Sequence, residues 1–186
     1  MKKLGIIVPY RNRKAQLREF SRNIKFYLDG LGIPYHVFVI CQDNAKQFNR
    51  GALLNIGFKY AENELCDYVV FHDVDTLPYK KGLLPYETTH GIVKHFYGFK
   101  FALGGIFSIK GNDFERINGF PNLWGWSQED NLIQRRALAN GLKIDRSVFF
   151  PIQSSYILQL VDGFMRKINK GEVKEVINNR YPYGLN

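Results

Sequence analysis

The feature that most constrains the fold is an alternation in the first 73 residues, where three short apolar runs are separated by two segments of helical spacing. LGIIVPY (4–10), YHVFVICQ (35–42) and DYVVFHD (67–73) are short and rich in β-branched and aromatic residues, so they read as buried strands. Between the first two, Leu17, Phe20, Ile24, Tyr27 and Leu31 recur at helical spacing, and Gly30 and Gly32 end the pattern. FNRGALLNIGFKYAEN (48–63) reads as a second helix. A β-α-β-α-β order with short connections predicts an α/β, Rossmann-like architecture: a mainly parallel central sheet flanked by helices. In such sheets ligands collect beyond the carboxyl ends of the strands. Pro9, Tyr10, Arg11 and Arg13 follow the first strand, Gln42, Asp43 and Asn44 the second, and Asp73, Val74 and Asp75 the third.

The rest of the chain is less regular. GGIFSIK (104–110) predicts a strand, 112–117 a short helix, and 129–140 a helix closed by Gly141. A last helix is predicted over 155–169, its Ile157, Leu160, Val161, Phe164, Met165 and Ile168 forming one apolar stripe that faces the core. Without repeats, low-complexity tracts or a linker, the 186 residues read as one domain.

A hydrophobic share of 45% argues for a globular chain rather than a disordered one. The net charge of +9, with eight cations among the first 25 residues, suits an anionic partner: nucleic acid, a membrane surface or nucleotide phosphates. Nucleic-acid binding is disfavoured, since no RNA- or DNA-binding motif accompanies the charge. Cys41 and Cys66 lack zinc-site or CxxC spacing and read as free thiols of a reducing compartment. No apolar segment is long enough to span a membrane and no signal peptide is evident, so the expected location is cytoplasmic.

Four short stretches carry chemistry. In FHDVDTLP (71–78), strand alternation points Asp73 and Asp75 the same way, as needed for a divalent cation that bridges to a diphosphate. An acidic turn on a solvated edge fits the same residues. So does a haloacid dehalogenase-type phosphatase, whose DxDx(T/V) places a nucleophilic Asp first, although Leu77 occupies the fifth position here. In PNLWGWSQED (121–130), Ser127 and Asp130 approximate a capping box, and Glu129 and Asp130 suit the positive end of a helix. Two tryptophans flanking a glycine suggest, in addition, a loop that covers a sugar or planar ligand, and a carboxylate at that helix start can accept a hydroxyl proton. Finally, PYRNR (9–13) and FNR (48–50) pair aromatic rings with arginines, a combination suited to a base and its diphosphate; a solvated basic rim is the plainer reading.

Taken together, VPYRNR (8–13), FNRGALLNIGF (48–58), FHDVDTLP (71–78), LGGIFSIKGNDFERINGFPN (103–122) and WGWSQED (124–130) resemble the β-1,4-galactosyltransferase family in order and approximate spacing, over about residues 4–146. The resemblance implies a GT-A fold and an inverting transfer of galactose or a related hexose from a UDP-sugar donor to a glycan or glycoconjugate acceptor. It makes residues 1–78 the nucleotide-binding half and 79–186 the acceptor and catalytic half. Pro9, Tyr10, Arg11, Arg13, Phe48 and Arg50 would surround the uridine diphosphate. Asp73, Val74 and Gly105 would lie against the ribose and donor sugar, and Trp126 would close over the site. Asp75 would hold Mn²⁺ or Mg²⁺. Glu129 and Asp130 would contact sugar hydroxyls, with Asp130 as general base.

The chain departs from the family pattern at several positions. Ser127 and Gln128 stand where the pattern has glycine and a variable residue, and Asn131 replaces a carboxylate. The family's further metal ligand is a histidine downstream of the acidic motif, yet no histidine follows His95. Gln153, Ser154 or water are the substitutes at hand, leaving oxygen-only ligands; transfer without metal and binding without turnover are the alternatives. Ala102 replaces a side chain that gates the donor's C2 substituent. The membrane anchor and disulfides of the animal members are missing, which suggests a reduced viral or bacterial version.

Overall fold

The computed structural model describes residues 2–160, 168–177 and 183–185. Its first part follows the predicted alternation: β1 (Leu4–Tyr10), α1 (Lys14–Asp29), β2 (Tyr35–Cys41), α2 (Arg50–Asn63) and β3 (Tyr68–His72). Strand β1 pairs in parallel with β2 on one side and β3 on the other. The chain then passes through β4 (Thr76–Pro78) to β5 (Ile92–Gly98) and β6 (Ile106–Lys110). Both new ladders, β3 with β6 and β6 with β5, are antiparallel. After α3 (Gly111–Arg116) and α4 (Glu129–Ala139), β7 (Lys143–Asp145) and β8 (Phe150–Pro151) return in parallel along the free side of β5.

Among the described residues, seven strands thus form one mixed sheet in the order β2-β1-β3-β6-β5-β7, with β8 also on β5. The mainly parallel character expected of the sheet holds: β1 pairs in parallel with β2 and β3, and β5 with β7 and β8, while the two ladders of β6 are antiparallel. The sheet turns antiparallel at β6 because β6 reaches β3 through β5 and not through a helical crossover.

Alternation along β1 divides the interior. Leu4, Ile6 and Val8 pack with Phe20, Ile24, Tyr27 and Leu28 of α1 on one face. Ile7 packs on the other face with Leu54, Phe58 and Ala61 of α2. That second cluster holds Phe71, Phe107, Phe114 and Phe120 in mutual ring contact, so much of the aromatic content fills the core. Gly57 sets the helix–sheet spacing: a β-carbon there would stand 2.4 Å from Ile7 Cγ2. Truncating a fully buried ring such as Phe71 to Ala would cost about 3–5 kcal/mol.

The predicted helix over 155–169 is not what forms at its start. Ile157–Gln159 is strand β9, antiparallel to β4. Its apolar residues fit both periods over so short a run, and pairing with β4 decides between them. Residues 161–167 lie outside the described residues, and a helix, α5 (Lys170–Ile177), begins only beyond them.

Candidate active site

A cavity of about 560 Å³ opens at the carboxyl ends of β1 and β3 and is closed on its far side by the first turn of α4. Pro9, Arg11, Arg13, Phe48 and Arg50 line one wall, and Asp73, Val74, Asp75, Gly105, Trp126, Glu129 and Asp130 line the rest. Five segments far apart in sequence therefore meet in one site. Tyr10 does not line this cavity; it packs against the apolar cluster beneath.

Arg50 is the electrostatic hinge of the site. It opens α2, whose preceding residue Asn49 accepts the Ala52 N–H at 2.9 Å, so the first turn is capped and the guanidinium is aimed by a rigid helix. Its Nε donates to Asp73 Oδ1 at 3.0 Å and its Nη1 to Asp130 Oδ1 at 2.6 Å, with Glu129 Oε1 at 3.9 Å. Burial works against its charge, but Asp130, Asp73 and Glu129 outweigh that and hold Arg50 well above its ordinary pKa. One cation thus faces three carboxylates. Burial pushes Asp130 up to about 8, with Arg50 pulling the other way and Glu129 and Asp73 adding repulsion. Glu129 is raised as well, mainly by burial and against the pull of Arg50.

The second cation lies on the opposite side of Asp73-Val74-Asp75. Arg13 Nη1 donates to Asp75 Oδ2 at 2.7 Å, and the Asp75 carboxylate is largely buried. The two aspartates reach the cavity through a turn between β3 and β4 rather than by alternation along one strand. His72, just before them, is neutral: burial holds it at about 4 while its Nδ1–H donates to the Asp73 carbonyl at 2.9 Å.

The aromatic and loop parts are tied together locally. Arg11 stacks over Phe48 at 5.5 Å, and Lys46 lies over Trp124 at 5.0 Å. Buried Gln42 braces the intervening loop, accepting the Asn49 N–H at 2.8 Å and donating to Gln47 O at 3.0 Å. Trp126 is half-exposed at the cavity edge, and its neighbour Gly125 donates to Phe48 O at 2.9 Å.

The capping box expected at Ser127 does not form. Gln128 takes the N-cap position in a left-handed conformation (φ 85°), and no side chain caps the helix there. Buried Ser127 Oγ has no hydrogen-bond partner, while the Glu129 carboxylate accepts the backbone N–H of Ser127. The left-handed residue leads the chain into the helix whose first turn places Asp130 against Arg50.

Tyr97 and Gln159 also line the cavity and were not found from sequence. Tyr97 lies on β5, whose β-branched and aromatic run IVKHFYG is the signal that could have found it. Gln159 sits inside the misread apolar stripe. Pairing of β4 with β9 sets Thr76 opposite Gln159, and Leu160 N donates to Asp75 O at 2.7 Å, so Gln159 arrives beside Asp75. Tyr97 Oη donates to Gln159 Oε1 at 3.0 Å. Gln153 and Ser154, the substitutes expected for the family's histidine, are not among the cavity-lining residues.

The profile for the N-terminal region of glycosyl transferase group 7 matches residues 1–84, and the one for the N-terminal domain of galactosyltransferase matches residues 87–158. The chain belongs to the β-1,4-galactosyltransferase family. Among the family's members, a xylosylprotein 4-β-galactosyltransferase of Caenorhabditis elegans is 33% identical over 89% of this chain and 60% of its own length. The β-1,4-galactosyltransferase 7 of Drosophila melanogaster is 34% identical over 77% of this chain and 47% of its own. The chain therefore spans about half the length of these curated relatives. The catalytic domain of the Drosophila enzyme, in complex with xylobiose, superimposes with a TM-score of 0.86 at 27% identity over 100% of this chain and 83% of that one. A variant of it in complex with manganese, UDP-Gal and xylobiose gives a TM-score of 0.81 at 25% identity. The GT-A fold follows from this likeness.

Proposed function

We propose that the chain is an inverting galactosyltransferase that moves galactose, or a closely related sugar, from UDP to a hydroxyl of an acceptor sugar. The observation that carries this reading is the Asp130 carboxylate, raised to about 8 and paired with Arg50 on the wall of a cavity that Arg11 and Arg13 also line. A carboxylate of that pKa is a stronger base than an ordinary one and suits proton abstraction near neutral pH. Relatives named as galactosyltransferases, one of them crystallised with UDP-Gal and xylobiose, support the donor and acceptor class.

In this mechanism Asp130 takes the acceptor proton as the hydroxyl attacks the anomeric carbon from the face opposite UDP. Arg11 and Arg13 face the diphosphate, Phe48 the base, and Trp126 covers the sugars. Residues 1–78 serve as the nucleotide half and 79–186 as the acceptor half. Ala102 leaves space beside the donor's C2 substituent, so UDP-GalNAc is tested beside UDP-Gal.

The residues present fit a hard cation with oxygen ligands. Asp75 and Gln159 would hold Mn²⁺, with Asp73 close by; no group of three His, Cys, Asp or Glu suited to a metal occurs among the described residues. When bound, the ion supplies positive charge for the departing diphosphate. A reading of donor binding without turnover rests on Arg50 engaging Asp130.

The test is a screen of UDP-Gal, UDP-Glc, UDP-GlcNAc and UDP-GalNAc for transfer to a β-xyloside, alongside calorimetry with UDP in the presence and absence of Mn²⁺. Transfer with inversion is the expected result. UDP binding without turnover selects the binding-only reading, and no UDP binding under either condition sinks both.

A further inference from the structure

A closed ring of polar contacts lies behind the cavity. Between His95 and Tyr97 the β5–β6 pairing slips, and a bulge of this kind leaves backbone groups without ladder partners. His95 is fully buried at that slip, with Nε2 3.0 Å from both Tyr97 O and Gly104 O. Two carbonyl acceptors require the proton on Nε2, which leaves Nδ1 as an acceptor. It receives Arg146 Nε at 3.0 Å, and Arg146 Nη2 in turn donates to Gln134 Oε1 at 2.7 Å. Gln134 lies four residues beyond Asp130, on the same face of α4 one turn on. The ring closes at Gly104, which packs directly on the candidate base: a β-carbon there would stand 2.4 Å from Asp130 Oδ2. Leu103 N donates to Asp130 O at 2.9 Å beside it.

We propose that His95 is a positioning residue: by holding the Gly104 carbonyl, and α4 through Arg146 and Gln134, it fixes the 98–105 loop against the Asp130 carboxylate. The inference rests on Asp130 acting as the base in the reading above. That loop contributes Gly98, Phe99, Ala102, Gly104 and Gly105 to the cavity, so its seating sets where an acceptor hydroxyl lies relative to the carboxylate. Burial, reinforced by Arg146, keeps His95 at about 4, so it is neutral at working pH and relays no proton. Misplacement of reacting groups by about 1 Å costs on the order of 10²-fold in rate. A histidine that only filled the core would instead lower donor binding, stability and turnover together.

The experiment compares His95→Asn, whose amide is too short to reach Gly104 O, with His95→Gln, whose Nε2 reaches the position of the imidazole Nε2–H. Gln134→Leu cuts the ring without touching the buried histidine and serves where His95→Asn fails to fold. For each, kcat, acceptor KM, UDP affinity and hydrogen exchange in the 98–105 peptide are measured. His95→Asn is expected to lower kcat by roughly 10–100-fold, to leave UDP affinity within about twofold, and to speed exchange at 98–105. His95→Gln is expected to recover most of the rate, and Gln134→Leu to move in the same direction less far. Unchanged kcat and exchange in both His95→Asn and Gln134→Leu would overturn the proposal, as would equal losses of UDP affinity and kcat or a His95→Gln no better than His95→Asn. If the parent protein turns over no UDP-sugar, the functional reading fails by itself, and unchanged exchange at 98–105 then decides against the ring.

Discussion

The two arginine corners of the cavity are built from similar parts and hold their charge differently. Arg50 is fixed in the capped first turn of α2 and meets carboxylates from both halves of the chain, Asp73 on one side and Asp130 with Glu129 on the other. Arg13 stands just before α1, one residue after Asn12 at φ 53°, and meets Asp75, whose own backbone is tied to β9. Arg50 thus neutralises a cluster, whereas Arg13 pairs with Asp75, the carboxylate proposed to exchange it for a divalent cation.

The largest expected effect tests that contrast directly. Arg50→Met leaves three enclosed carboxylates without their cation and should destabilise the fold by roughly 3–5 kcal/mol, measured by urea unfolding, with no recovery on adding Mn²⁺. Arg13→Met should cost less, and Mn²⁺ should restore its stability. Equal losses, or recovery of both by the metal, would break the comparison.

Asp130→Asn should lower kcat by about 10²–10⁴-fold while donor affinity is kept, since it removes the proposed base and leaves the cavity wall. Because the folded carboxyl has a raised pKa, the folded state holds that proton more tightly than the unfolded chain does. The associated stability is complete below the ordinary carboxylate range and is lost as pH climbs through about 8. The variant, uncharged, should therefore match the parent at low pH and gain on it in thermal melts towards pH 8. In the parent, kcat/KM should rise with pH to a midpoint well above that of an ordinary carboxylate. A midpoint near 4 would remove the raised carboxyl from the mechanism.

A smaller effect concerns the exchangeable corner. Asp75→Ala, and more weakly Gln159→Ala, should reduce UDP affinity about tenfold in Mn²⁺, near 1.4 kcal/mol, and little without it. Equal losses in both conditions would remove the cation from Asp75. The smallest effect separates the capping-box expectation from the observed helix entry. Ser127→Ala should be neutral within about 0.5 kcal/mol, as its hydroxyl has no partner, whereas a working N-cap would lose about 1 kcal/mol.

Much of the site was legible because its residues sit at the ends of elements that local pattern specifies. Arg11, Arg13, Asp73 and Asp75 follow the apolar strands β1 and β3, and Arg50 opens the helix α2. What escaped was held by distant pairing. Gln159 lay inside a stripe that fits a helix equally well, and the short β4–β9 ladder made it a strand facing Asp75. Tyr97 belongs to a strand, β5, that pairs with β6, β7 and β8. At Ser127 the local capping pattern was present, but the backbone entered the helix through left-handed Gln128, which brings Asp130 to Arg50.

By itself the sequence determined the α/β alternation, the parallel half of the sheet, the acidic and basic strand ends and the family they mark, because hydrophobic period and short motifs are local properties. Only the tertiary structure decided how charge is shared, three carboxylates on Arg50 and Asp75 beside Arg13 and Gln159. Those pairings join residues 23 to 84 positions apart, and their energies depend on burial and distance, which no local pattern encodes.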